Sequence, residues 1–219
     1  MLGVRILTGE LKPGDTIDYD TLLSELDVSR TVLREAIKVL SAKGLLDARP
    51  RLGTYVTDRS RWQLLDGDVM TWRGGGRPDP VLVRDLEEVR LIFEPAAARL
   101  AAARRTDAQL AGIAAAFERM RRDAEGNVAH MVEADLAFHQ AILGAVGNEL
   151  LEQFEVVLLP ALVSRNAMAL SHDSGGDYLR LHEEVYLAIG ASDPDRAEAA
   201  MHQLIVDAAD HSAAVLGMG

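Results

Sequence analysis

The stretch "EADLAFHQAI" places Asp135 and His139 four residues apart, so on a helix a carboxylate and an imidazole share one side, one turn from each other. Such a pair can reach a single divalent cation, but it can equally be a buried Asp–His hydrogen bond or a surface pair, and spacing alone does not choose among them. His182, in "LRLHEEVYLAI", belongs to a later helical stretch that could face the first pair across a core. One carboxylate with two imidazoles suits zinc, nickel or manganese, and three protein donors leave room for an oxygen-rich ligand. Metal-dependent catalysis is the alternative use of the same residues. It requires a general base or nucleophile beside the metal, and no motif supplies one.

A second constellation lies in "VSRTVLREAIKVLSAKGLL", where Arg30, Thr31, Arg34 and Lys38 share one helical face and Leu33, Ala36, Ile37 and Leu40 the other. A helix that reads DNA presents donors near its N-terminal end while its apolar face stays packed. Arginine suits this because its planar fork can pair with guanine O6 and N7 together. Arg30, Thr31 and Arg34 are placed for base edges. Lys38, Lys43, Arg49 and Arg51 are expected to meet phosphates, which position a domain without reading sequence. Gly53, at the tip of the following hairpin, would let backbone approach a groove. The competing interpretation is a solvated charged face on an ordinary helical hairpin.

The elements that would position these groups follow from pattern. "YDTLLSEL" is a short helix, "DVS" a tight connection, and Ser29 an N-cap for a helix that Gly44 stops. "LLDARPRLGTYVTD" then alternates like two strands around a tip at residues 51–53. Helix, turn, capped basic helix and two-stranded wing make a winged helix-turn-helix over residues 1–58. Residues 59–79 form a connector rich in glycine, in which Trp62, Leu64, Leu65, Val69 and Trp72 are expected to pack two domains together. Residues 80–219 are helical throughout. Helices are expected over residues 80–103, 106–124 with a Thr106–Gln109 capping box, 128–146, 149–170 with a kink at Pro160, 177–189, and 194–216 capped by Asp193. The fold class is therefore mainly α, a winged helix-turn-helix followed by an antiparallel six-helix bundle.

Composition agrees with this division. The 219 residues are 48% hydrophobic but only 5% aromatic, which favours helices packed on helices. Cysteine is absent, so disulfides and thiolate metal sites are excluded, and a cytoplasmic location is expected. The longest apolar stretch is interrupted by Glu155 and Pro160, and no membrane span or signal peptide is indicated. Net charge is -11, yet residues 1–60 carry nine basic and nine acidic side chains, leaving 14 against 25 in the remainder. Residues 28–51 hold six basic side chains against Glu35 and Asp47, a local cationic footprint on an acidic chain.

"VSRTVLREAIKVLSAKGLLDARPRLGTYV" resembles the winged-helix domain of the GntR family, and the helical remainder resembles the FCD ligand domain of its FadR-type branch. That resemblance implies a homodimer binding an operator palindrome in double-stranded DNA, usually as a repressor, with Arg30, Thr31, Arg34 and Gly53 at the DNA. It also implies a metal held by Asp135, His139, His182 and a fourth ligand, which here falls on Leu204. His202 is two residues early for that role, and His211 is two turns along. Arg90 matches a basic position lining the effector pocket; in "EEVRLIFEP" it could clamp a carboxylate there or pair with Glu87 or Glu94 on the surface. With Arg90, the residues Asp135, His139 and His182 form the expected effector site. The first helix reads as short at Met1, and Asp20 stands where the family often has a contacting arginine. The connector "RWQLLDGDVMTWR" resembles that of regulators of galactonate and related sugar-acid catabolism, which implies a small carboxylate effector such as an aldonate. On the enzyme alternative, a sugar acid would be the substrate.

Overall fold

In a computed structural model, residues 1–51, 53–74, 80–123, 128–154 and 175–216 are described. The chain divides into two compact units, Met1–Arg77 and Pro78–Gly219.

The first unit opens with α1 (Leu2–Leu7), α2 (Tyr19–Leu26) and α3 (Arg30–Ala42). Asp18 caps α2 by accepting from the N–H groups of Asp20 and Thr21, and Ser29 caps α3 by accepting from Val32. Between these helices Asp27 takes the left-handed conformation, φ 49°, which lets the chain reverse within a few residues. Strands β1 (Leu46–Arg49) and β2 (Gly53–Val56) pair antiparallel from Leu46 opposite Val56 to Arg49 opposite Gly53. Leu33, Ile37 and Leu40 of α3 are buried with Leu2, Ile6, Leu22, Leu45, Leu46 and Val56 in one core. Every third or fourth position of α3 thus faces inward, and the intervening positions are left to water.

The connector differs from expectation. A 3-10 turn (Arg59–Arg61) and α4 (Gly67–Gly74) belong to the first unit: Val69 is fully buried in its core, and Trp62, Leu64 and Trp72 pack against that core. Leu65 is 65% exposed. Trp62, Leu64, Val69 and Trp72 therefore extend the core of the first unit. Gly44 explains the attachment. Its φ is +77°, and a Cβ there would lie 2.1 Å from the Arg61 carbonyl oxygen, so only glycine allows the turn after α3 to press on the connector.

The second unit contains α5 (Pro80–Arg104), α6 (Asp107–Asp123), α7 (Val128–Gly144), the short α8 (Glu149–Glu152), α9 (Gly175–Gly190) and α10 (Pro194–Leu216). Thr106 and Gln109 form the reciprocal capping box, and Asp193 accepts from the N–H of Arg196. Helix α5 packs on α7, α9 and α10, and α9 also meets α6 and α10. Phe93, Ala97, Ala101, Ile113, Phe138, Ile142, Val185, Ile189, Met201 and Leu204 lie in the core they enclose. Small alanines along α5 let the neighbouring helices approach closely. Most of the expected helix over 149–170, including the kink at Pro160, lies outside the described residues.

Candidate functional site

Two regions carry the side chains that could do chemistry. On the first unit, Arg30, Thr31, Arg34 and Lys38 of α3 are all exposed, as are Arg51 and Gly53 at the hairpin tip. Helix packing has sorted them: the apolar stripe is spent on the core, and the cations remain outside. Arg51 and Gly53 both have positive φ, 69° and 84°, and a Cβ at Gly53 would meet nothing within 4 Å, so the tip is tightly curved yet open. Arg34 pairs with no acid among the described residues. Arg30 does: its Nη2 is 3.1 Å from Asp20 Oδ1, with both side chains 82% exposed. Lys38 pairs with Glu35 at 2.7 Å, also in solvent. Such exposed pairs are weak and can open for phosphate.

Lys43 requires a correction. Its ammonium is 2.6 Å from Asp66 Oδ1 and 2.8 Å from Asp68 Oδ2, it lies 5.7 Å from the centre of the Trp72 ring, and its side chain is only 13% exposed. The two carboxylates hold its pKa above the usual lysine value. It fastens the connector to the C-terminal end of α3 instead of facing phosphate. Gln63 reinforces the attachment, its backbone N–H donating to Lys43 O and its side chain to Ala42 O, two carbonyls at the end of the helix. Sequence reasoning missed these roles because Asp66 and Asp68 are more than twenty residues from Lys43. It also passed over Val32, an apolar side chain 54% exposed beside Thr31.

In the second unit, α7 supplies Asp135 and His139, and α9 supplies His182; all three are buried, and one donor atom from each lies within 4.8 Å of the others. His182 Nδ1 is 2.8 Å from the Tyr178 carbonyl oxygen, which can only accept, so Nδ1 carries a proton. Burial pushes the His182 pKa below its ordinary value despite the neighbouring Asp135, favouring the neutral ring. A neutral ring with its proton on Nδ1 has a bare Nε2, and that atom lies 2.9 Å from Asp135 Oδ1. Two lone pairs at that distance call for a cation or a shared proton. His139 Nε2 lies 3.6 Å from the same oxygen and, although buried, has no hydrogen-bond partner among the described residues. These orphaned donors and the carboxylate fit a divalent ion. Leu204 is buried in the surrounding core and offers no ligand, and His202 is exposed.

Helix α5 adds two residues. Arg90 is completely buried, its Nε donating to Glu94 Oε1 at 2.6 Å and its Nη1 lying 3.3 Å from Glu87 Oε2; Nη2 has no hydrogen-bond partner among the described residues. The surface-pair alternative for Arg90 thus needs amending. It does pair with Glu87 and Glu94, but inside the protein. From sequence Glu94 figured only as a surface partner for Arg90, and its approach to His139 was not foreseen. Its Oε2 is 2.5 Å from His139 Nδ1, a close ion-pair distance at which the ring N–H is poorly aimed for a regular hydrogen bond. Burial would raise the Glu94 pKa, but Arg90 and His139 outweigh it and hold the carboxyl down to about 2. For His139, burial works downward and the Glu94 and Asp135 carboxylates reverse it, so its pKa is raised. The glutamates around Arg90 were the available signal, with Glu94 at the i+4 spacing that brings it alongside.

Comparison with known proteins bears on both regions. The family described as "Bacterial regulatory proteins, gntR family" matches residues 1–56, and the FCD domain matches residues 85–207. The chain is 33% identical over 207 residues to the galactonate operon transcriptional repressor of Escherichia coli (strain K12), covering 93% of this chain and 90% of the relative. It is 34% identical over 207 residues to the HTH-type transcriptional regulator LutR of Bacillus subtilis (strain 168), covering 90% of each. Among solved structures, Streptococcus agalactiae GntR aligns with TM-score 0.57 and 26% identity over 94% of this chain and 93% of that one.

Proposed function

Because the chain belongs to the GntR family of bacterial transcriptional regulators and carries an FCD domain, we propose that it is a repressor whose grip on operator DNA is set by a small carboxylate effector bound in the helical unit. The family and its relatives are regulators, so the catalytic alternative falls away. Residues 1–58 serve as the DNA-binding domain, 59–79 as connector and 80–219 as the ligand-binding and dimerisation domain. Arg30, Thr31 and Arg34 meet base edges in the major groove, Lys38 and Arg51 meet phosphates, and Gly53 brings the wing backbone to DNA. Val32 offers apolar surface to a thymine methyl. The observation that carries this reading is the basic face of α3, fully presented to solvent on a chain of net charge -11.

A homodimer would place two such helices on two half-sites, and a ligand that binds one dimer geometry better than another would change operator affinity. Asp135, His139 and His182 would hold zinc, nickel or manganese, and the metal would supply a Lewis-acidic point of attachment for the effector carboxylate. Arg90 contributes its buried Nη2 amino group, which meets no hydrogen-bond acceptor among the described residues. The likeness to a galactonate operon repressor favours a sugar acid such as an aldonate. No helix among the described residues is long and apolar enough to cross a membrane, which accords with a DNA-binding protein in the cytoplasm. A thermal-shift screen of sugar acids and dicarboxylates, with and without chelator, tests the effector. Stabilisation by a sugar acid that chelator removes is expected; none with any acid in either condition counts against the assignment. A mobility-shift assay with Arg34→Ala tests the DNA surface, and wild-type affinity in that variant would defeat it.

A further inference from the structure

Five buried side chains from three helices form a chain of contacts: Arg90 and Glu94 on α5, His139 and Asp135 on α7, and His182 on α9. The two imidazoles in it are related in a simple way. Each has its Nδ1 against an acceptor on the outer side, the Tyr178 carbonyl for His182 and the Glu94 carboxylate for His139. Each has its Nε2 toward Asp135 Oδ1, at 2.9 and 3.6 Å. Two lone pairs repel at 2.5 Å, so the Glu94 carboxylate favours the proton of a neutral His139 on Nδ1, although that N–H is not aimed for a regular hydrogen bond, and leaves the lone pair on Nε2. We infer that Glu94, held in place by Arg90, is the positioning residue of the metal site, fixing the His139 tautomer that aims a bare Nε2 at the ion.

Glu94 suits the task for three reasons. It is 2% exposed, so water does not compete for its oxygens. Its two oxygens have different neighbours, Arg90 Nε at Oε1 and His139 Nδ1 at Oε2, and so the carboxylate cannot turn toward one without leaving the other. The Glu87 carboxylate on the far side of Arg90 keeps the guanidinium from swinging away. Arg90 then acts mainly through Glu94, with Nη2 alone available to a ligand. Metal-bound histidines commonly donate their second N–H to such a carboxylate or carbonyl, and losing that partner lowers metal affinity about 10- to 100-fold.

This inference rests on Asp135, His139 and His182 forming a metal site, and two readouts keep the two ideas apart. Nitrogen-15 NMR of the metal-free protein, recorded at a pH high enough that the His139 ring is neutral, reports its tautomer directly; the Nδ1–H form is expected in wild type and its loss in Glu94→Leu. Cobalt(II) titration, followed by the visible spectrum, should show affinity falling about 10- to 100-fold in Glu94→Leu and largely restored in Glu94→Gln, whose carbonyl can still accept from Nδ1. Because Glu94→Leu strands a buried guanidinium, the double variant Arg90→Met with Glu94→Leu removes both charges together and keeps the fold testable. The double variant should show the same tautomer change and the same cobalt loss. An unchanged His139 tautomer in folded Glu94→Leu or in the double variant overturns the inference. Wild-type protein that binds no cobalt overturns the metal site itself and leaves the tautomer result standing.

Discussion

The face of α3 and the interior between α5, α7 and α9 use charge in opposite ways. On α3 the cations stand in water, at most loosely paired, as Arg30 with Asp20 and Lys38 with Glu35. Each such contact is worth little by itself, and their joint effect on a phosphate backbone depends on salt. In the interior, Arg90, Glu94, Asp135, His139 and His182 are all but excluded from solvent. There each group needs its partner, because an unpaired buried charge costs several kcal/mol. A surface that must bind and release a long polyanion is built from replaceable parts. The buried cluster proposed to hold a metal and effector is built from parts that depend on one another.

Four variants would sharpen or break this contrast. The largest effect is expected inside: Asp135→Ala removes the shared carboxylate, so metal affinity measured by cobalt titration should fall more than about 100-fold, with loss of effector stabilisation and with DNA binding retained. Next comes Gly44→Ala, which forces a positive φ on alanine and drives Cβ into the Arg61 carbonyl; the first unit should lose roughly 2–4 kcal/mol in chemical denaturation. Arg34→Ala should weaken specific DNA binding by about 1–3 kcal/mol, roughly 5- to 150-fold, while non-specific binding changes little. Lys38→Met should have the smallest effect, lowering the slope of log affinity against log salt by about 1 whatever the DNA sequence. If Asp135→Ala were as mild as Lys38→Met, the pocket would not be the interdependent unit described above.

Much of the fold was legible because its signals are local. Ser29, Thr106 with Gln109, and Asp193 announce helix starts within three residues of themselves, and the stripe Leu33, Ile37, Leu40 announces which face of α3 is buried. The spacing of Asp135 and His139 announced a shared side of one helix, but their approach to His182 depends on how α7 and α9 cross, which no local pattern states. Lys43 was misjudged for a related reason. Its partners Asp66 and Asp68 arrive only once the connector folds back on α3, so a cation that looks free along the chain is tied down in space. The place of Trp62 and Trp72 on the first unit's own core was likewise not legible, because it depends on the connector folding back onto the end of α3 past Gly44. Arg90 shows the limit most clearly: sequence offered a surface pair or a pocket clamp, and burial with both glutamates combines parts of each.

The central claim is that the exposed basic face of α3 binds operator DNA and that the buried site governs that binding. Fluorescence anisotropy of the purified protein on a DNA site selected from a randomised pool measures both at once, with a sugar acid and a divalent metal present or absent. Tight, salt-sensitive binding that the acid and metal together shift by about 5- to 150-fold, and that Arg34→Ala weakens, is the predicted result. Selection that yields no preferred sequence, or affinity indifferent to Arg34→Ala, would contradict it.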